Sequence, residues 1–202
     1  MKHVVWDMDG TLLDSTRVVP DAFVGAIAEL GGPRVARDDV VAAYSLGVPE
    51  VLLAHFLGRD LDEGEAEAYY GRLRDAQVAP YPGIAETLES LRSQGRQVAV
   101  FTGASTRAAR TLLDAAGLTV DVLVGGDDVG RPKPAPDGVV EAARRLGAGP
   151  GHVVYVGDAP TDMQAARAAG AVAAAASWGH LYDPDEPFDH ALTEPRDVLR
   201  LL

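Results

Sequence analysis

The chain has 202 residues, 47% of them hydrophobic, with a mean hydropathy of zero, which is the profile of an ordinary globular protein with one large domain or a core carrying a smaller insert. A formal net charge of −12 argues against a nucleic-acid partner, because neutralising phosphates needs a basic face. Zero cysteines exclude disulfides, thiolate nucleophiles and Cys-ligated zinc, and neither a secretory leader nor an apolar run of about 20 residues is present, so no membrane association and a cytoplasmic location are expected.

In chain order, apolar runs of strand length fall at residues 3–6, 97–101, 121–124, 152–156 and 171–176. A segment of helical periodicity precedes each of the last four, at 84–94, 106–116, 137–146 and 161–169. Each of these helices is followed by a glycine (Gly95, Gly117, Gly147 and Gly170), the usual residue just past a helix end. Strands that are apolar throughout and alternate with helices predict an α/β fold with a parallel, Rossmann-like sheet covered on both faces. Residues 16–80 break the alternation with four helical stretches, 20–30, 36–44, 49–57 and 62–77, and no strand between them. The strand pattern resumes after the turn signal Tyr81-Pro82-Gly83. The expected organisation is a core of residues 1–15 and 81–202, interrupted after its first strand by a helical cap of residues 16–80.

In open α/β sheets, ligands bind at the carboxyl ends of the strands. Polar groups gather at those ends here: Asp7, Asp9 and Thr11 after the first strand, Thr102, Gly103 and Ser105 after the second, Lys133 beyond the third, and Asp158 and Asp162 after the fourth. Any one of the aspartates alone reads as a helix cap. Stations at four successive strand ends are harder to assign to capping. Clustered carboxylates that stay ionised need a cation, and oxygen donors without His or Cys point to Mg2+. Lysine is scarce, with every basic residue except Lys2 and Lys133 an arginine. One Lys and one Thr beside a metal suit the oxygens of a phosphoryl group in transfer.

DMDGTLLDS (7–15), FTGAS (101–105), GRPKPAPD (130–137) and VGDAPTDMQAARAAG (156–170) resemble, in order, the four motifs of the haloacid dehalogenase superfamily. Within it the chain is most similar to the phosphatase branch with an all-helical cap, which includes phosphoglycolate phosphatases. The resemblance implies Asp7 as a nucleophile forming an aspartyl-phosphate, and Asp9 as general acid and then base. It implies Mg2+ held by Asp7, the Asp9 backbone carbonyl and Asp158, with Asp162 in support. Thr102, the Gly103 amide and Lys133 would hold phosphoryl oxygens, and Asp14 and Ser15 would shape the turn into the cap.

Within that resemblance, Asp9 argues against dehalogenation, and the lack of a cap lysine argues against Schiff-base phosphonate cleavage. A phosphosugar mutase of the beta-phosphoglucomutase type is the alternative. The run Arg17-Val18-Val19-Pro20 lacks the histidine typical of those enzymes, which favours hydrolysis. A non-catalytic binding module would normally have lost one of Asp7, Asp9, Lys133 and Asp158. Many relatives carry Asn after the second-motif Thr, where this chain has Gly103. The five histidines show no metal-ligand spacing, and Trp178 reads as packing.

Specificity is expected from the cap, closing over a small phosphorylated metabolite. Arg17, Tyr44, Ser45, Gly47, His55 and Arg59 are the candidates, with residues 44–49 the preferred contact loop. Residues 60–67 read as a solvated helix start. A monomer and a homodimer are both compatible with the sequence.

Overall fold

The apolar runs become neighbouring strands because each buries both of its faces. The computed structural model describes residues 3–202. The strands are β1 (His3–Trp6), β2 (Ala99–Phe101), β3 (Val122–Val124), β4 (Val153–Gly157), β5 (Val172–Ala176) and β6 (His190–Leu192), all parallel, in the order β3-β2-β1-β4-β5-β6. β1 therefore lies inside the sheet between β2 and β4, where the winding reverses, and its carboxyl end faces the crevice that such sheets use for ligands.

Side chains alternate between two layers. Val4 and Trp6 point into one with Val100, Val154 and Val156, while Val5 points into the other with Phe101, Val153 and Tyr155. Helices α5 (Ile84–Ser93) and α6 (Thr106–Ala115) cover the first layer through Leu88, Leu91, Leu112 and Leu113. Helices α7 (Asp137–Arg145) and α8 (Pro160–Ala169) cover the second through Val139, Ala142, Met163 and Ala166. Each fully buried Leu or Val is worth about 1.5–3 kcal/mol, so both faces are strongly specified.

Residues 16–80 contain four helices and no strand: α1 (Val18–Glu29), α2 (Arg37–Ala42), α3 (Pro49–Leu57) and α4 (Glu67–Arg74), with a short 3-10 turn at Tyr44–Leu46. The chain enters and leaves this insert side by side. Asp14 N–H donates to the Ala79 carbonyl at 3.3 Å, Tyr81 N–H donates to the Leu12 carbonyl at 2.9 Å, and Leu13 and Pro80 pair antiparallel. The insert's own core of Phe23, Ile27, Leu52, Leu53, Tyr69 and Leu73 merges with the first layer of the sheet. Across the junction, α4 packs on α6.

Three elements differ from the sequence expectation. β6 is an added edge strand, three residues long with two of them exposed, too short for an alternation to be read. The helix expected at 62–77 begins only at Glu67, because Gly64 sits at φ +86°, outside the helical region. The helix expected at 36–44 ends at Ala42 and tightens into the 3-10 turn. Among the described residues, no helix is long and apolar enough to cross a membrane.

Candidate active site

Asp7 follows β1 directly, and its N–H still donates to the Val156 carbonyl at 2.7 Å, so the sheet fixes its backbone. The chain then folds back at once. The Met8 carbonyl accepts from Leu12 and Leu13, both at 2.9 Å, and Gly10 adopts φ +84°. Gly10 is required twice over: its φ is left-handed, and a Cβ there would lie 2.4 Å from Asp158 Oδ2. Trp178 donates from Nε1 to the Thr11 carbonyl at 3.0 Å, so this ring both packs and holds the loop.

Asp158 ends β4 and is 3% exposed. Leu181 N–H donates to its Oδ2 at 2.9 Å, and Thr11 Oγ1 approaches its Oδ1 at 3.4 Å. Gly179 runs so close that a Cβ would fall 2.1 Å from Asp158 Cβ, leaving the carboxylate no room to swing away. Asp162 lies in the first turn of α8. It accepts from Ala159 N–H at 3.0 Å and from the Tyr155 hydroxyl at 3.2 Å.

Lys133 reaches into this group from the segment after β3. Its Nζ is 2.5 Å from Asp7 Oδ1 and 2.6 Å from Asp162 Oδ1, and its side chain is 12% exposed. The Phe101 and Tyr155 rings lie 5.1 and 5.6 Å from the ammonium, which is cation–π range. One oxygen from each of Asp7, Asp158 and Asp162 lies within 4.8 Å of the others. Three buried carboxylates thus gather around one ammonium that pairs with only two of them, and remain short of positive charge.

The electrostatics follow from that shortage. Burial, then the charges of Asp162 and Asp9, push Asp7 well above the ordinary carboxylate range against the pull of Lys133. Burial likewise raises Asp158. Lys133 moves up although burial alone would lower it, because the charges of Asp162 and Asp7 hold its proton. An oxygen-only donor set that is anionic and desolvated fits a small, hard divalent cation.

Asp9 sits apart from this cluster. Its Oδ1 accepts a short hydrogen bond from Ser15 Oγ and its Oδ2 accepts from Thr102 Oγ1 at 3.4 Å. Burial raises its pKa against those two hydrogen bonds. Ser15, expected only to shape a turn, therefore touches the second carboxylate of the motif. Thr102 also accepts from Ala104 N–H at 3.1 Å, and Gly103 is exposed beside it.

The structure thus brings Asp7, Asp9, Thr102, Lys133, Asp158 and Asp162 together. The insert candidates scatter. Arg17 is exposed at the start of α1, and Ser45 and Gly47 are exposed on the turn after α2. Arg59 is engaged by Glu65 through two contacts of 2.7 and 2.8 Å on the insert surface, and His55 is exposed. Tyr44 is 39% exposed, with burial and the Asp9 charge both pushing its phenol up. Two residues escaped the sequence reading. Tyr155 looked like an ordinary strand aromatic, and its hydroxyl bonds only through the fold to Asp162 and to the Phe101 carbonyl, at 3.1 Å. His180 Nδ1 lies 3.7 Å from Asp158 Oδ2, a proximity made by the loop after β5.

Known proteins agree with this architecture. A family model described as haloacid dehalogenase-like hydrolase matches residues 1–170. Phosphoglycolate phosphatase of Aquifex aeolicus is 32% identical over 207 residues, covering 100% of this chain and 97% of that protein. Phosphoglycolate phosphatase of Pseudomonas syringae pv. syringae is 33% identical over 196 residues, covering 89% of this chain and 70% of that one. Among solved structures, CbbY from Rhodobacter sphaeroides in complex with phosphate superposes with a TM-score of 0.78 at 24% identity, over 98% of this chain and 96% of that chain, a likeness of fold. The chain belongs to the haloacid dehalogenase-like hydrolase family, among its phosphoglycolate phosphatase-like phosphatases.

Proposed function

We propose that the protein hydrolyses a small phosphomonoester, phosphoglycolate-like or sugar-phosphate-like, through an aspartyl-phosphate on Asp7. The observation that carries this reading is the position of Lys133, 2.5 Å from Asp7 and 2.6 Å from Asp162, in a cluster of carboxylates at adjacent strand ends. Asp7 Oδ attacks phosphorus, and the P–O bond to the leaving group breaks. Asp9, whose pKa burial raises, carries the proton that the leaving oxygen takes. Asp9, then ionised, accepts a proton from water as that water attacks the phosphorus, which frees Asp7 and inorganic phosphate.

Lys133 and Thr102, with the Gly103 amide, meet the phosphoryl oxygens, where negative charge spreads in transfer. Asp7, the Asp9 carbonyl and Asp158, supported by Asp162, would hold Mg2+. When bound it supplies positive charge to the phosphoryl oxygens. Residues 16–80 act as a cap over a core of residues 1–15 and 81–202, shielding the site from bulk water. The Aquifex relative, a phosphoglycolate phosphatase, supports a short anionic substrate. The protein works in the cytoplasm as a monomer or homodimer.

The test is phosphate release from a panel of small phosphomonoesters, with Mg2+ or EDTA, by the parent and Asp7→Asn. Turnover that requires Mg2+ and falls at least about 1,000-fold in Asp7→Asn is expected. Turnover that survives Asp7→Asn contradicts the reading.

A further inference from the structure

The insert carries a cluster of aromatic rings, and their hydroxyl groups are treated unequally. Tyr70 is fixed: its hydroxyl donates to Glu50 at 2.9 Å, and the Arg107 guanidinium lies 3.7 Å over its ring. Arg107 begins α6 on the core side and is also paired with Glu67 of α4, so the ring is held at the junction. Tyr69, its neighbour in the chain, stacks on Phe23 with centroids 4.1 Å apart at 29°, and meets Tyr70 edge-on at 5.2 Å. Ring contacts on two sides hold the Tyr69 ring in place.

Its hydroxyl is different. Tyr69 is 2% exposed, yet among the described residues this hydroxyl has no hydrogen-bond partner. Among them, Trp6 Nε1 is the one unpartnered side-chain polar atom sealed wholly inside protein, so the Tyr69 oxygen opens onto residual space. Buried tyrosine hydroxyls ordinarily find a partner. The insert meets the core at the catalytic end of the sheet: Tyr70, next to Tyr69, lies under Arg107, two residues past the Thr102–Ser105 loop, and Thr102 contacts Asp9. Burial, then Tyr44, then the Asp9 charge hold the Tyr69 phenol protonated, and burial and Asp9 do the same to Tyr44. Tyr69 and Tyr44 both contact the Phe23 ring, so the two phenols belong to one patch of the insert. A phenol that stays protonated recognises a group by hydrogen bonding and does not exchange protons with it.

We infer that Tyr69, with Tyr44 beside it, recognises the leaving group: its hydroxyl donates to an oxygen carried by a short alcohol leaving group, such as a carboxylate or hydroxyl. This rests on the hydrolytic reading above and adds to it the determinant of substrate choice. The substrate is then the phosphate ester of a small hydroxy acid or polyol, and simple alkyl phosphates are poor substrates.

Tyr69→Phe tests this directly, because it keeps the ring and its stack on Phe23 and removes only the oxygen. We would measure kcat/KM for 2-phosphoglycolate, glycerol phosphate and ethyl phosphate, with melting temperatures as a check on folding. The parent should prefer at least one oxygen-bearing ester over ethyl phosphate. Tyr69→Phe should lower kcat/KM for that ester by roughly 10- to 100-fold, and for ethyl phosphate by less than about threefold. Tyr44→Phe, on the more exposed ring, should show the same selectivity with a smaller loss. Equal losses on both kinds of ester, no loss on either, or a parent without preference would each overturn the inference. If the parent releases phosphate from none of the three esters while folded and supplied with Mg2+, the hydrolytic reading itself fails, and this inference with it.

Discussion

The sheet-end carboxylates and the insert's tyrosines are held in opposite ways. Asp158 is fixed by Leu181 N–H and by the close passage of Gly10 and Gly179, and Asp162 by Ala159 N–H and Tyr155. Every one of those contacts comes from the core. Tyr69 is fixed by ring packing within the insert, Tyr44 touches the same Phe23 ring, and their hydroxyls have no partners among the described residues. Groups that must sit still through a reaction are tied by redundant hydrogen bonds. Groups that must meet a variable leaving group are rigid in the ring and free at the oxygen. One region can then select the substrate while the other keeps a single chemistry.

Breaking the core side should have the largest effect. Asp9→Asn keeps the shape and the hydrogen bond from Ser15 but removes the proton carrier, so kcat should fall by roughly 100- to 10,000-fold with little change in melting temperature. Phenol release in a single turnover of an aryl phosphate, whose leaving group needs little protonation, should show a smaller drop. An equal drop would assign Asp9 a structural role.

Loosening the junction should cost less. Arg107→Ala removes the ion pair to Glu67 and the cation–π contact to Tyr70, the latter worth about 0.5–1 kcal/mol at an exposed site. The closure proposed for residues 16–80 then becomes less firm. KM should rise about two- to fivefold with kcat nearly unchanged, read by initial rates across substrate concentration.

The smallest effect lies far from both regions. Hydrogen bonds from Arg144, then Arg145, hold Glu141 down at about 2 against an ordinary 4.5. A depressed carboxylate stabilises the fold above its unfolded pKa and loses that contribution as pH falls through its folded one. Glu141→Gln should therefore melt slightly below the parent above pH about 4.5, with the gap closing by pH about 2. Melting curves across that range check it, and activity at neutral pH should not move.

The core was legible in the sequence because its chemistry is written at fixed offsets from the strands. Asp7, Thr102 and Asp158 each follow an apolar run by a residue or two, so reading the strands located the site. What escaped was set by contacts between distant segments. Tyr155 looks like core in sequence and is core, yet its hydroxyl happens to emerge beside Asp162. Ser15 sits at a turn, and only the fold-back after Asp7 carries it to Asp9. In the insert, helical periodicity told which segments are helices but not which faces meet the site. That depends on how α4 docks on α6, a tertiary matter that left Tyr69 unnoticed and made Arg59 look available.

The account's central claim is that phosphate passes through Asp7. The direct measurement is to quench the enzyme in acid during turnover with Mg2+ and a phosphomonoester, reduce acyl phosphates with borohydride, and sequence the peptides by mass spectrometry. Conversion of residue 7 to homoserine, absent without substrate, is the predicted result. Turnover with no reduced aspartate, or with the label on another residue such as Asp9, would contradict it.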